Sequence, residues 1–178
     1  YTGLGGTSAY ELARVMECGD FDVVLTAFQY SLLWREAEHA ILPVAQEKRM
    51  GVVIGSPLQH GALAARYDHE VNGGARWMSP PRRRQFKRLY RLLDRLDIPI
   101  AELSIRFLLS NPVVSTVLVG ARSKQEVELN CAAEAGGALP AELVAEIDDI
   151  AAMVPFRPFE EPYSMPFGRE YKGLGGLG

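Results

Sequence analysis

Apolar positions along this chain follow two rhythms, one of helical spacing and one of short unbroken runs, and their alternation predicts the class of fold. Thr7 and Ser8 precede Leu12, Val15 and Met16, which predicts a capped helix over residues 8–18 with one buried face. After Gly19-Asp20, the run from Phe21 to Phe28 centres on Val23, Val24 and Leu25 and predicts a strand buried on both faces, as in a parallel sheet. Ala37, Ala40, Ile41, Val44 and Ala45 return to helical spacing over 36–48, and Val52-Val53-Ile54 predicts a second short strand. Residues 64–81, with Asn72-Gly73-Gly74 and Pro80-Pro81, predict a long loop of the kind that serves function or moves. A basic amphipathic helix over 82–96 carries Phe86, Leu89, Leu92, Leu93 and Leu96 on one side, and a helix over 101–111 ends at Asn111-Pro112. Val113 to Val119 predicts a third strand closed by Gly120. A helix over 123–135 follows with Val127 and Leu129 inside, then a last helix over 141–153.

Three buried strands alternating with helices predict an α/β fold, built either as an open doubly wound sheet or as a barrel. From Pro155 the character changes: Pro155, Pro158, Pro162 and Pro166 are interleaved with aromatics before a Gly173-Leu174-Gly175-Gly176 end. This predicts an extended tail over 155–178, either lying across a barrel mouth or frayed as a terminus.

Composition narrows the function classes. The 178 residues are 48% hydrophobic and 23% charged, the balance of a chain that buries a sizeable core. With 19 basic and 22 acidic residues the net charge is −3, which offers no overall field for nucleic acid or an anionic membrane. Arg82-Arg83-Arg84 therefore reads as a solvated helix face rather than a phosphate or nucleic-acid site. No apolar run approaches the roughly 18 residues of a membrane span, and no signal peptide is recognisable, so the expectation is a cytoplasmic protein. Cys18 and Cys131, the only cysteines, read as reduced packing residues, with no disulfide framework and no metal site. The sequence opens at Tyr1 and runs straight into Gly3-Leu4-Gly5-Gly6, which reads as a chain whose beginning lies upstream.

The unusual residues sit at the predicted carboxyl ends of strands: Gln29-Tyr30-Ser31, Gly55-Ser56-Pro57-Leu58, and Gly120-Ala121-Arg122-Ser123. In barrels and in open α/β sheets alike, ligands bind beyond those ends. At these residues, together with Gly51 to Leu58 through Gly61-Ala62-Leu63, Pro99-Ile100-Ala101 through Asn111-Pro112, and Val119 to Arg122 through Asn130, the chain resembles the aldo-keto reductase family. The resemblance covers residues 1–154 and implies the C-terminal half of a (β/α)8 TIM barrel, from the end of strand five to the last helix.

That resemblance implies an NAD or NADP site. Gln29 would bond the nicotinamide carboxamide, and Thr2, with Gly3, occupies the place of a Ser-Asn pair that does the same. Gly55, Ser56, Pro57 and Leu58 would form the loop that cradles the pyrophosphate, its backbone amides facing the anion. Gly55 stands where the family commonly has an aromatic that stacks on the nicotinamide, so stacking falls to Tyr30 or His60 or is absent. Gly120 and Arg122, before a helix N-terminus, resemble the adenosine-phosphate site, with Asn130 as the adenine contact. Glu126 replaces a frequent Arg or Gln, and a carboxylate there repels a 2′-phosphate. This leads us to expect NAD acceptance equal to or better than NADP, although Arg122 argues the other way.

The family's proton-donating tyrosine and its lysine, aspartate and histidine partners come from the first half of the barrel, so no catalytic residue is carried onto this chain. Tyr10, Tyr67, Tyr90 and Lys48 read as structural. The expected function is hydride transfer between a nicotinamide and an aldehyde, ketone or sugar. This chain would supply the cofactor half, remain inactive alone, and be partnered by a missing N-terminal half. The competing reading is a non-catalytic cofactor-binding or protein-interaction module working through open strand edges.

Overall fold

The computed structural model describes residues 1–158 and 161–171. Four parallel strands form one sheet in the order β1 (Gly3–Gly6), β2 (Val23–Ala27), β3 (Gly51–Gly55), β4 (Thr116–Leu118). The order advances one strand at a time and never reverses. With right-handed crossovers, such an order puts every connecting helix on the same face, unlike a doubly wound sheet. Burial agrees: Val24, Thr26, Val52 and Ile54 are fully buried on one face, while Val23, Leu25, Ala27 and Val53 on the other are only half-buried. The strands predicted as buried on both faces are thus buried on one.

The first strand was not foreseen. Gly3-Leu4-Gly5-Gly6 has no run of β-formers, and its place is fixed by pairing, Gly3 opposite Val23 and Gly6 opposite Thr26. The third strand is shorter than the predicted 113–119, because it pairs only over Val53–Gly55 of β3.

Helix α1 (Ala9–Cys18) buries Leu12 and Met16 but leaves Val15 exposed, so the predicted apolar face is narrower. The helix predicted over 36–48 is two: α2 (Glu36–His39) and α3 (Ile41–Lys48), divided at Ala40. Pro43 explains the division, since it donates no N–H and its ring crowds the carbonyl four residues back. The predicted loop over 64–81 contains α4 (Asp68–Gly73), and Pro80-Pro81 begins α5 (Pro80–Leu96). Ser79 caps α5 by accepting from the Arg82 amide, and prolines at the first helical positions forfeit only amides that would lack helical partners. Helices α6 (Ile100–Leu109), α7 (Lys124–Ala135) and α8 (Ala141–Ala151) complete the layer.

Helix α5 shows how the core is assembled. Phe86, Leu89, Tyr90 and Leu93 recur at three and four residues and are buried. Gln85 continues that face, its amide donating to the Ile150 and Ala151 carbonyls at the end of α8 (2.8 and 3.0 Å). Arg82 is not solvated: it is wholly buried and its Nε donates to Glu161 at 2.7 Å. Arg83 donates to the Ala75 and Met78 carbonyls, leaving only Arg84 of the triplet on an exposed face.

Two further expectations are corrected. Val127 and Leu129 of α7 are exposed, 50% and 58%, and Ala133 is the buried residue of that helix. Cys18 and Cys131 are free but exposed rather than packed.

The segment from Pro155 packs against the body as far as it is described. Glu161, Met165 and Phe167 are buried, and Phe167 stacks on Tyr67 with centroids 4.6 Å apart. Gly173-Leu174-Gly175-Gly176 lies outside the described residues. Among the described residues no helix is long and apolar enough to cross a membrane.

Candidate functional site

The carboxyl ends of the four strands, at Gly6, Ala27, Gly55 and Leu118, lie side by side because the strands are parallel and in register. Three of the four predicted site segments leave from these ends. Gln29 follows β2, half-buried, and its side-chain amide donates to the Thr7 carbonyl beyond β1 at 2.5 Å. Gly55, Ser56, Pro57 and Leu58 follow β3. Gly120 and Arg122 follow β4 and are exposed.

Thr2 is not with them. It precedes the first residue of β1, at the opposite end of the sheet, and its amide donates to Asp22 just before β2 at 2.6 Å. Thr7, not Thr2, stands at the carboxyl end, and the misplacement follows from not recognising Gly3–Gly6 as a strand.

The loops after β2 and β3 are unusual in their backbone, Phe28 belonging to the first and Ser56, Gln59 and His60 to the second. Phe28, Ser56, Gln59 and His60 all have φ between 51° and 67°, the left-handed region that costs an L-residue roughly 1–2 kcal/mol. Such residues persist only where the surroundings over-determine them, and they gather at functional sites. Gln59 does much of that determining. Buried, it donates from its side-chain amide to the Phe28 carbonyl (2.9 Å) and the Ser31 hydroxyl (3.3 Å), tying the β3 loop to the β2 loop. Sequence reading passed over Gln59, since its role depends on a residue 31 positions away.

The two residues proposed as replacements for a stacking aromatic have opposite fates. Tyr30 is 1% exposed and its hydroxyl accepts from Asn111 Nδ2 at 2.9 Å, with burial holding its pKa up at about 12. It has no face to offer. His60 is exposed and stacks on Phe28, centroids 4.2 Å apart and planes 16° from parallel. Burial first, then the charges of Arg169 and Arg157, hold its pKa below the ordinary value and favour the neutral ring. Tyr67 and Tyr90 bond each other and the loop after β3: the Tyr67 amide donates to the Tyr90 hydroxyl and the Tyr67 hydroxyl to the Gly61 carbonyl. Lys48 donates to the Glu17 and Gly19 carbonyls at the end of α1.

Beyond β4, the N-terminus of α7 is satisfied from within. Ser123 accepts from the Glu126 amide at 3.1 Å, and Glu126 accepts from the Arg122 amide at 2.7 Å and its guanidinium at 3.2 Å. These bonds hold the Glu126 carboxyl below its usual range. The place where an anion would meet the helix end therefore already holds a carboxylate. Asn130, one turn on, borders a cavity of about 380 Å³ together with Val117, Val119, Ala121, Val127 and Cys131. Its wall is mostly apolar, with the Asn130 amide, the Thr116 hydroxyl and the Glu134 carboxylate as its polar members.

Behind the strand-end loops lies a buried charge cluster that fastens the C-terminal segment. Glu161 accepts from Arg82, from Trp34 Nε1 (3.2 Å) and from Arg157 (3.3 Å), and the two guanidiniums lie 4.5 and 5.1 Å from the Trp34 ring centroid. Tyr163 on the same segment meets Phe28 edge-on at 5.3 Å. Among the described residues, no group of three His, Cys, Asp or Glu is placed to hold a metal ion.

A parallel sheet that advances in one direction, with its unusual residues gathered at the carboxyl ends, defines an α/β protein of the kind that binds ligands at that face. The chain belongs to the aldo/keto reductase family, whose profile matches residues 1–152. It is 30% identical over 128 residues to a pyridoxal 4-dehydrogenase of Microbacterium luteolum, covering 72% of this chain and 37% of that protein. It is 27% identical over 160 residues to a D-threo-aldose 1-dehydrogenase of a Pseudomonas species, covering 86% and 46%. The fold superposes on an aldo-keto reductase of Bacillus halodurans, solved in its holo form, with a TM-score of 0.66 and 25% identity, over 90% of this chain and 53% of that one. The chain thus spans about half or less of the length of these relatives.

Proposed function

We propose that this chain is the C-terminal half of a (β/α)8 barrel, residues 1–154 with a fastened tail, and supplies the nicotinamide-cofactor side of an oxidoreductase. The observation that carries the proposal is that Gln29, Ser56–Leu58 and Gly120–Arg122 all leave the carboxyl ends of adjacent parallel strands. When bound, the dinucleotide would donate a hydride to the carbonyl carbon of an aldehyde, ketone or sugar, or accept one from the carbon of the corresponding alcohol. This chain's residues would bind and orient: Asn130 and the mostly apolar cavity beside it would hold the adenine, and the strained loop at Ser56 would offer backbone amides to the pyrophosphate. Proton donation falls to residues outside this sequence, so the chain alone is inactive. The relatives whose names specify pyridoxal and an aldose support a small carbonyl compound or sugar as substrate.

The fit to the cofactor is selective. Because Glu126 already occupies the end of α7 and engages Arg122, a 2′-phosphate would meet a carboxylate, whereas a ribose hydroxyl can donate to it. NAD is therefore preferred over NADP. Titration of the purified chain, following quenching of Trp34 and Trp77, tests this. NADH should saturate the signal at lower concentration than NADPH, Asn130→Ala should weaken both, and Glu126→Gln should narrow the gap. NADPH binding tenfold tighter than NADH would overturn the preference, and absence of both signals would overturn the cofactor reading.

A further inference from the structure

Strands β2 and β3 pair as far as Ala27 opposite Gly55, and the Phe28 amide then donates to the Gly55 carbonyl at 3.3 Å. Past that rung the two loops have no further backbone bond to each other among the described residues. The hydrogen bonds that join them there come from one group, the side-chain amide of Gln59.

That amide reaches a particular place. The Gln59 backbone amide donates to the Ser56 carbonyl at 3.0 Å, closing the turn over Ser56-Pro57-Leu58. Its side-chain amide donates to the Phe28 carbonyl at 2.9 Å and to the Ser31 hydroxyl at 3.3 Å, the first immediately before Gln29 and the second just after Tyr30. Ser31 is itself fixed: it is wholly buried, its amide donates to the Trp34 carbonyl at 2.8 Å, and its hydroxyl also accepts from the Trp34 amide at 3.3 Å. One buried side chain thus connects the Ser56–Leu58 turn to both flanks of Gln29. Gln59 does so at a φ of 51°, a left-handed angle that glycine adopts freely. What glycine would lack is the donor, and a donor is what the carbonyl and the hydroxyl opposite require. The strain is held in place by those bonds and by burial.

We propose that Gln59 is a positioning residue for the dinucleotide, holding Gln29 at the nicotinamide end at a set distance from the Ser56–Leu58 turn at the pyrophosphate. This rests on the cofactor reading above and adds to it the group that places one contact relative to the other. A ligand gripped at two points binds more tightly when both are already held at the separation it needs, because less ordering remains to be done on binding. Gln59 itself touches neither end of the cofactor in this role and acts through the two loops.

The test is a double-mutant cycle in NADH affinity, measured by calorimetry on the full chain. Gln29→Ala is introduced into the parent, into Gln59→Met and into Gln59→Gly. Methionine keeps the bulk and loses the donor; glycine loses the donor and relieves the left-handed φ, so the cycle stays readable if methionine unfolds the chain. Each Gln59 variant should weaken NADH about tenfold. Gln29→Ala should weaken the parent by a similar factor, yet add less than about twofold in either Gln59 variant, because its contact is no longer held in register. Additive losses, with Gln29→Ala costing the same factor in every background, overturn the positioning role and leave the cofactor reading intact. Parent-like NADH affinity in Gln59→Gly does the same, since it would mean that only the bent backbone matters. Failure of the parent to bind NADH overturns both.

Discussion

Arg82 and Glu161 stand 79 residues apart in sequence and are both wholly buried, and they show how much a single side chain can matter here. Removing one member of a buried ion pair strands the other charge and costs about 3–5 kcal/mol, whereas replacing both with apolar residues is often close to neutral. Glu161→Ala should therefore lower the stability read from urea unfolding by about that amount, and Arg82→Met combined with Glu161→Leu should recover most of it. Equal loss in the single and double variants would refute the argument. Glu36 nearby carries a buried Oε2 without a hydrogen-bond partner, and desolvation raises its pKa above 4.5 despite Arg157 and Arg82. A raised carboxyl contributes stability that is present below the ordinary glutamate value and is lost as pH rises through the folded value. Glu36→Gln should thus be more stable than the parent at pH 7, by about 1 kcal/mol, with the difference vanishing below about pH 4.5. None of this was legible in the sequence, where Arg82 read as one of three solvated arginines.

Helix α7 is the element where pattern and structure part most clearly. Its apolar residues suggested a core face at Val127 and Leu129, yet both are exposed and Ala133 is the buried one. Val127 and Leu129 are two residues apart and so do not share a helix face, and burial in α7 falls to the residue that meets a neighbour, Ala133. Val127→Thr with Leu129→Gln should change the chain's thermal stability by no more than about 0.5 kcal/mol, while Ser123→Ala, which removes the cap on Glu126, should cost about 1 kcal/mol. Comparable losses in the two would show that the outer face of α7 is packed after all. Two other local signals were present but read otherwise: Ser79 with Pro80-Pro81 starts α5 where a loop was predicted, and Pro43 divides α2 from α3 where one helix was predicted. The strand at Gly3–Gly6 had no local signal and exists only through its pairing with β2.

At the scale of the whole molecule, the sheet has one covered face and, among the described residues, two edges at β1 and β4 that pair on one side only. Leu118 on the β4 edge is 50% exposed. Unpaired edges promote association, and a charge placed on one discourages it. Leu118→Lys should reduce self-association of the chain in sedimentation velocity with little change in melting temperature, and identical sedimentation with the parent would exclude the β4 edge as the contact. The sequence by itself determined the α/β alternation, the family, and the residues that end β2, β3 and β4, because short apolar runs and the turns that close them are local. Only the tertiary structure decided that the sheet advances without reversal, that Thr2 lies at the wrong end of it, and that His60 rather than Tyr30 presents a ring. It alone also fastened the C-terminal segment through a buried ion pair. Those outcomes depend on register, burial and contacts between residues far apart in sequence, where neither hydrophobic periodicity nor turn chemistry carries information.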